Sequence, residues 1–350
     1  MENPLKPHYL ILDGLRGVAA VLVVIFHLME AVYPTLEGHP MRHGYLAVDF
    51  FFLLSGFVVG YAYDDRWGVM TVKQFFKIRL LRLHPLVILG VTIGALCFWF
   101  DPFTSMRPHY VFTDLVFAFV LGCLLLPSPD IRGWGETHQL DGPCWSLLQE
   151  YIANILYALF VRKFSRTALW VLVLISAVLL TYVANQRDGI GTGWSYETFW
   201  IAIVRMLFPF FAGLLLFRMG KLIRVQGAFL VAALLLALVF FIPYIKYNGL
   251  FEAGAIILVF PLIVSIGAGG EVSGTMKKIC RFAGDISYPI YITHYPFIYI
   301  YTMWIAEKKP PAAAIIPVAI GLFFFFVLLA YLSLKFYDAP VRSWLKKKYF

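Results

Sequence analysis

The chain has 350 residues, 61% hydrophobic and only 14% charged, whereas a soluble domain carries roughly 25% charged residues. Too little polar surface is available to cover a soluble protein of this size, which excludes the two or three soluble domains that length alone would allow. The 29 Lys and Arg against 20 Asp and Glu give a net charge of +9, and on so apolar a chain that excess points to anionic lipid or anionic ligands and not to nucleic acid.

Apolar runs long enough to approach the ~30 Å of bilayer hydrocarbon fall near residues 10–30, 44–63, 78–100, 110–127, 144–162, 167–185, 197–218, 226–245, 249–269, 282–305 and 312–336. The first ends in Leu28, Met29 and Glu30 and lacks a small-residue cleavage site, so it reads as a retained helix. If all eleven segments cross from a cytoplasmic N-terminus, 12 Lys and Arg lie on the cytoplasmic side and 16 outside. If one segment between residues 100 and 143 enters and leaves on the outer face, the distribution becomes 21 inside and 7 outside, with Arg205 left within a helix. The positive-inside rule selects the second arrangement. It predicts an all-α membrane protein with ten transmembrane helices, both termini cytoplasmic, and one re-entrant segment near 110–127, which Pro108 precedes and Pro127 and Pro129 follow. The longest stretch outside the segments is the 16 residues from Ser128 to Pro143, so chemistry belongs in the helical bundle or at its mouths. Cys97, Cys123, Cys144 and Cys280 lie in or beside apolar stretches without CxxC spacing, which argues against a disulfide framework or a zinc site.

Charges within spans are costly and therefore informative. In the first helix Arg16 and His27 are eleven residues apart, three turns plus about 20°, so they share a face about 16 Å apart along the axis; Glu30 lies on a nearby face. The third span opens with KIRLLRLHP, placing Arg79 and Arg82 at i and i+3, a fork for phosphate or carboxylate or else a positive-inside flank. His84 precedes Pro85 and reads as a local feature. Asp49 near the start of the second span is expected to cap it, and Ser55-Gly56 to serve helix packing. Glu150, two turns into CWSLLQEYIAN, needs a cation, with Arg16, His27, Arg79, Arg82 and Arg205 available. His294 lies in a span where Pro289 and Pro296 can open a kink. Arg205, Glu197, Glu252 and Asp285 are single charges mostly near segment ends.

A histidine base at the end of an arginine-lined polar path suits deprotonation of an alcohol attacking an acyl thioester, the arginines holding the donor's phosphates. The same residues also suit a transporter or exporter of an anionic small molecule.

The order of the motifs adds to this. ILDGLRGVAAVLVVIFHL (11–28), VDFFFLLSGFVVGY (48–61), RLLRLHPL (79–86), WSLLQE (145–150), SYPIYITHYPF (287–297) and YDAPVRSWLKK (337–347) occur in sequence over almost the whole chain. Together they resemble membrane acyltransferase family 3. The resemblance implies a single transmembrane acyltransferase domain over 1–350, of the stand-alone type without a fused esterase-like domain. It implies an inner-membrane enzyme of ten helices that moves an acyl group, usually acetyl from acetyl-CoA, to a hydroxyl of a sugar or related acceptor, with no metal. By carry-over His27 matches the essential histidine and Arg16 its paired cation. Arg79 and Arg82 match the paired arginines of the third helix, Glu150 the acidic residue of the tryptophan-serine block, and His294 a position in the late serine-tyrosine block. Asp338 departs from the Glu common before the final proline, and Cys144 from the small hydroxyl residue common before the tryptophan. The expected site therefore comprises His27 and Glu150 as catalytic residues and Arg16, Arg79, Arg82 and His294 as donor- or substrate-binding residues, in a bacterial inner-membrane protein for which a homodimer is the default assembly.

Overall fold

The computed structural model describes residues 8–33, 35, 38–103 and 111–349. Helix accounts for 76%, and among the described residues no strand forms beyond one isolated bridge between Glu136 and Ser195. In chain order the helices are α1 (Leu10–Glu30), α2 (Ala47–Tyr63), α3 (Val72–Trp99), α4 (Phe112–Cys123), α5 (Cys144–Leu159), α6 (Arg166–Arg187), α7 (Phe199–Met219), α8 (Ala228–Phe241), α9 (Asn248–Gly269), α10 (Gly274–Thr293), α11 (Tyr295–Lys308) and α12 (Ala312–Tyr349). Seven of these, α1, α2 with its leading turn, α3, α6, α7, α9 and α12, are long and apolar enough to cross a membrane. The outer surface fits that reading: α12 buries little of itself and exposes Ile316, Phe324, Leu328 and Phe336, apolar area that a monomer in water would not leave bare.

The segment expected at 110–127 forms α4, whose 12 residues rise about 18 Å, too short to span about 30 Å of hydrocarbon. Its first residue and Pro108 lie outside the described residues. The expected span 282–305 is two helices. Pro296 in the first turn of α11 has no N–H to give and its ring would collide with the carbonyl of Ile292, so α10 stops at Thr293 and the chain restarts at Tyr295 with His294 at the break.

Two helix pairings organise the bundle, α1 along α10 and α2 along α7. Each depends on glycine. A Cβ at Gly56 would lie 1.8 Å from the carbonyl oxygen of Phe210, and one at Gly213 2.0 Å from that of Leu53, so these two backbones touch in both directions. Gly17 packs on the Ala283 backbone and Gly284 on Asp13 in the same manner. Close backbone approach of this kind is how small residues hold helices together where lipid removes the hydrophobic drive.

The α2–α7 pair also carries a buried ion pair. Leu46, not Asp49, is the N-cap of α2, which corrects the expectation of a cap. Asp49 instead accepts from Arg205 Nε at 3.2 Å and Nη2 at 2.5 Å, both side chains being essentially inaccessible. Arg205 spends its remaining donors on the carbonyls of Thr192 and Tyr45. Removing either partner would strand a charge in the core. Glu252, read from sequence as a single charge near a segment end, is equally enclosed. It accepts from Tyr45 Oη, from Asn248 Nδ2 at 2.6 Å and from the Ile190 N–H at 2.6 Å, and His43 Nε2 closes the network on Asn248 Oδ1 at 2.9 Å. All four cysteines are free.

Candidate active site

The two ends of the polar face of α1 open into different cavities. The Arg16 end enters a cavity of about 630 Å³ lined by five arginines, Arg16, Arg79, Arg82, Arg281 and Arg342, with Asp13, Glu150, Asp285 and Asp338 among them. Three of the five are committed. Arg16 gives Nε to Ser287 Oγ at 2.8 Å and Nη2 to the Gly284 carbonyl at 2.9 Å, with Asp13 Oδ1 at 3.3 Å. Arg79 pairs with Glu150 Oε1 at 2.5 Å, and Ser55 Oγ donates to the same oxygen at 2.8 Å. Arg342 pairs with Asp338 at 2.6 Å, the aspartate being carried inward by the π turn Leu334–Asp338 of α12. Arg82 makes no hydrogen bond or ion pair among the described residues, and Arg16 and Arg79 are its cationic neighbours. A cluster of guanidinium groups with an uncommitted member is a receptor for a multiply charged anion.

The His27 end enters a second cavity of about 350 Å³. Its wall is aromatic, with Trp134, Trp145, Trp194, Tyr295 and Tyr299, and its polar groups are His27, Glu30, Glu136, His138 and Arg205. His27 Nδ1 lies 2.8 Å from Glu30 Oε2 one turn further along α1. With Nδ1 holding the proton that faces the carboxylate, the basic lone pair resides on Nε2, the orientation required of a general base. The imidazole is packed edge-on by Tyr295 at 4.8 Å and faces the ring of His294 at 5.5 Å. His294 does not line the cavity. It is buried behind His27 at the α10–α11 break, its Nδ1 2.8 Å from the Ile290 carbonyl and its Nε2 without a partner among the described residues.

Val48 and Tyr291 line both cavities and form their common wall, and Tyr291 Oη is 2.7 Å from Ser146 Oγ. The tryptophan-serine block of α5 straddles that wall: Trp145 faces the aromatic cavity, and Ser146 and Glu150 the arginine cavity.

The expected residues therefore separate into two groups. Arg16, Arg79, Arg82 and Glu150 meet at one cavity; His27 lines the other, with His294 packed behind it and outside the lining. Glu150 holds Arg79 and not the imidazole, and Ser55 serves Glu150 in addition to standing beside the packing glycine. The partner of His27 is Glu30, a relation already present in the sequence as an i, i+3 pair. Glu136 was not legible. It sits in the loop before α5, where no periodicity marks a residue as inward-facing, yet it is buried, accepts from Tyr299 Oη, and its burial pushes the carboxyl up to about 7. Arg281 and Arg342 were likewise legible only as positive-inside charge. Among the described residues no group of three His, Cys, Asp or Glu side chains is placed to hold a metal ion.

Comparison with known proteins gives the chemistry a class. A family model described as an acyltransferase domain matches residues 9–335. The chain is 33% identical over 195 residues to protein 2 in the picA locus of Rhizobium radiobacter, covering 53% of this chain and all of that protein. It is 26% identical to acyltransferase MdmB of Streptomyces mycarofaciens, over 82% of this chain and 78% of that one. A Staphylococcus aureus protein named as an O-acetyltransferase is 24% identical over 95% of this chain, which spans 57% of that protein's length. No solved structure matches.

Proposed function

Since the chain belongs to the acyltransferase 3 family and is a transferase, we propose that it is an integral-membrane O-acyltransferase carrying acetyl from acetyl-CoA to a hydroxyl of a carbohydrate or glycoconjugate. The observation that carries this reading is the pair of cavities that share Val48 and Tyr291, one lined by arginines and the other holding a carboxylate-oriented imidazole. The donor's phosphates bind in the arginine cavity, chiefly at Arg82, with Arg16 and Arg79 adding field. Its acyl-bearing arm reaches past Tyr291 toward His27. His27 Nε2 takes the proton from the acceptor hydroxyl as that oxygen attacks the thioester carbonyl; the C–O bond forms, the C–S bond breaks, and the imidazolium returns the proton to the departing thiolate. Glu30 holds the imidazole and balances its charge while it is protonated. Glu150 holds Arg79, and His294 supports the ring of His27 from behind.

In this reading the bundle crosses a bacterial inner membrane ten times, α10 and α11 together making one broken crossing and α4 entering and leaving on the outer face. Both termini and the arginine cavity then face the cytoplasm, where acyl-CoA is made. Proteoliposomes given radiolabelled acetyl-CoA test the reading. An enzyme hydrolyses the thioester or yields a labelled acceptor, whereas an exporter moves solute without new covalent label. His27→Ala is expected to lower acyl transfer by at least about a hundred-fold, within the range for loss of a general acid–base group, with insertion and melting temperature unchanged. Near-normal transfer by that variant would sink the mechanism.

A further inference from the structure

The aromatic cavity holds one acidic group that the transfer chemistry above does not use. Glu136 is 8% exposed and lines the cavity together with His27. Its Oε2 is held by Tyr299 Oη, and its backbone carbonyl by the side-chain amide of Gln139. Tyr299 is packed edge-on against Tyr295 at 4.8 Å, and Tyr295 against His27 at 4.8 Å, so the carboxyl is two ring contacts and one hydrogen bond from the imidazole. Trp134 lies against Tyr299 on the same wall, with centroids 5.5 Å apart, and Arg132 stacks on that ring at 3.8 Å. Oε1 has no hydrogen-bond partner among the described residues and is not sealed from the cavity that Glu136 lines. An anchored carboxyl with one oxygen left open to an aromatic cavity is a hydrogen-bond acceptor held ready for a ligand.

Resting on the acyltransferase reading, we infer that Glu136 is a specificity residue whose Oε1 accepts from a second hydroxyl of the acceptor while a neighbouring hydroxyl is presented to His27. The acceptor is then a ring bearing at least two hydroxyls, its apolar face laid on the tryptophans and its polar edge spanning Glu136 and His27. A lone alcohol reaches His27 without engaging Glu136. Burial removes most of the water that could serve this oxygen, so an incoming O–H supplies the hydrogen bond that solvent would otherwise provide.

Trp134, Trp145 and Trp194 make the test independent of catalysis, because intrinsic fluorescence reports occupancy of this cavity. Purified wild-type protein and Glu136→Gln are titrated with methyl α-D-glucopyranoside and, separately, with cyclohexanol. The substitution keeps side-chain shape, and with the amide oxygen still bonded to Tyr299 it turns a donor toward the cavity. The expected result is a saturable response of the wild type to the glucoside, with Kd raised about ten-fold in the variant, the cost of losing one hydrogen bond. Cyclohexanol is expected to show the same affinity for both. Equal glucoside affinity in the two proteins, no saturable response of the wild type, or an equal loss with cyclohexanol would each overturn the assignment. Melting temperature checks that the variant is folded, and Glu136→Ala, if better folded, is read by the same criterion. Absence of acetyl transfer by a wild type that still binds the glucoside through Glu136 would remove the enzyme reading and leave this one standing.

Discussion

Arg79 and Arg82 are equivalent in the sequence, one helix turn apart on one face, and differ entirely in the fold. Arg79 is neutralised by Glu150, whose other neighbour is Ser55; Arg82 has neither carboxylate nor carbonyl as a partner among the described residues. Their substitutions are therefore expected to read differently. Arg82→Ala should raise the KM for acetyl-CoA about ten-fold with little change in melting temperature. Arg79→Ala should in addition cost roughly 3 kcal/mol of stability, since it leaves a largely buried carboxylate unpaired. Adding Glu150→Gln to Arg79→Ala should recover stability but not KM. Steady-state kinetics and thermal unfolding of the three variants check this, and an Arg82→Ala protein with unaltered KM would remove Arg82 from the donor site.

Helices meet in this molecule where glycine removes the last carbon between two backbones, and the cost of replacing one depends on what it faces. Gly56 abuts the Phe210 carbonyl, a rigid part of α7, so Gly56→Ala must push α2 from α7 and disturb the Asp49–Arg205 pair between them. A loss of about 3 kcal/mol or more is expected, at the upper end of overpacking. Gly254 in α9 has open space where a Cβ would lie. Gly254→Ala is expected to be neutral or to stabilise by up to about 1 kcal/mol through helix propensity. Detergent thermal-shift measurements on the two variants separate these outcomes. The helices themselves were legible because apolar run and helix coincide in a bilayer. The α10–α11 break was only half legible: the prolines announced a kink, but that it places His294 behind His27 depends on how α10 lies along α1.

Across the whole molecule the spare positive charge divides between two roles. In the proposed topology most of it lies on the cytoplasmic side, and five arginines line one cavity. Reporter fusions test the proposed orientation. A fluorescent protein joined after Arg224 or after Lys346 is expected to glow, and alkaline phosphatase joined after Lys246 to be active; the reverse pattern would mean that α4 crosses fully. The 12 residues of α4 give that alternative a helix of about 18 Å with which to cross.

The sequence by itself determined that the chain is a bundle of membrane helices, and its ordered motif blocks determined the family, because hydropathy and local spacing survive without knowledge of neighbours. It also held the His27–Glu30 pair, a matter of one helix turn. Which charges meet across helices was decided only by the tertiary structure. Arg16 on Ser287, Arg79 on Glu150, Asp49 on Arg205 and Tyr299 on Glu136 each join residues far apart in the chain. Glu150 had five possible cations in the sequence, and the packing of the bundle selected Arg79. The same packing placed Val48 and Tyr291 between the two ends of a single polar helix face, turning one expected path into two cavities with different chemistry.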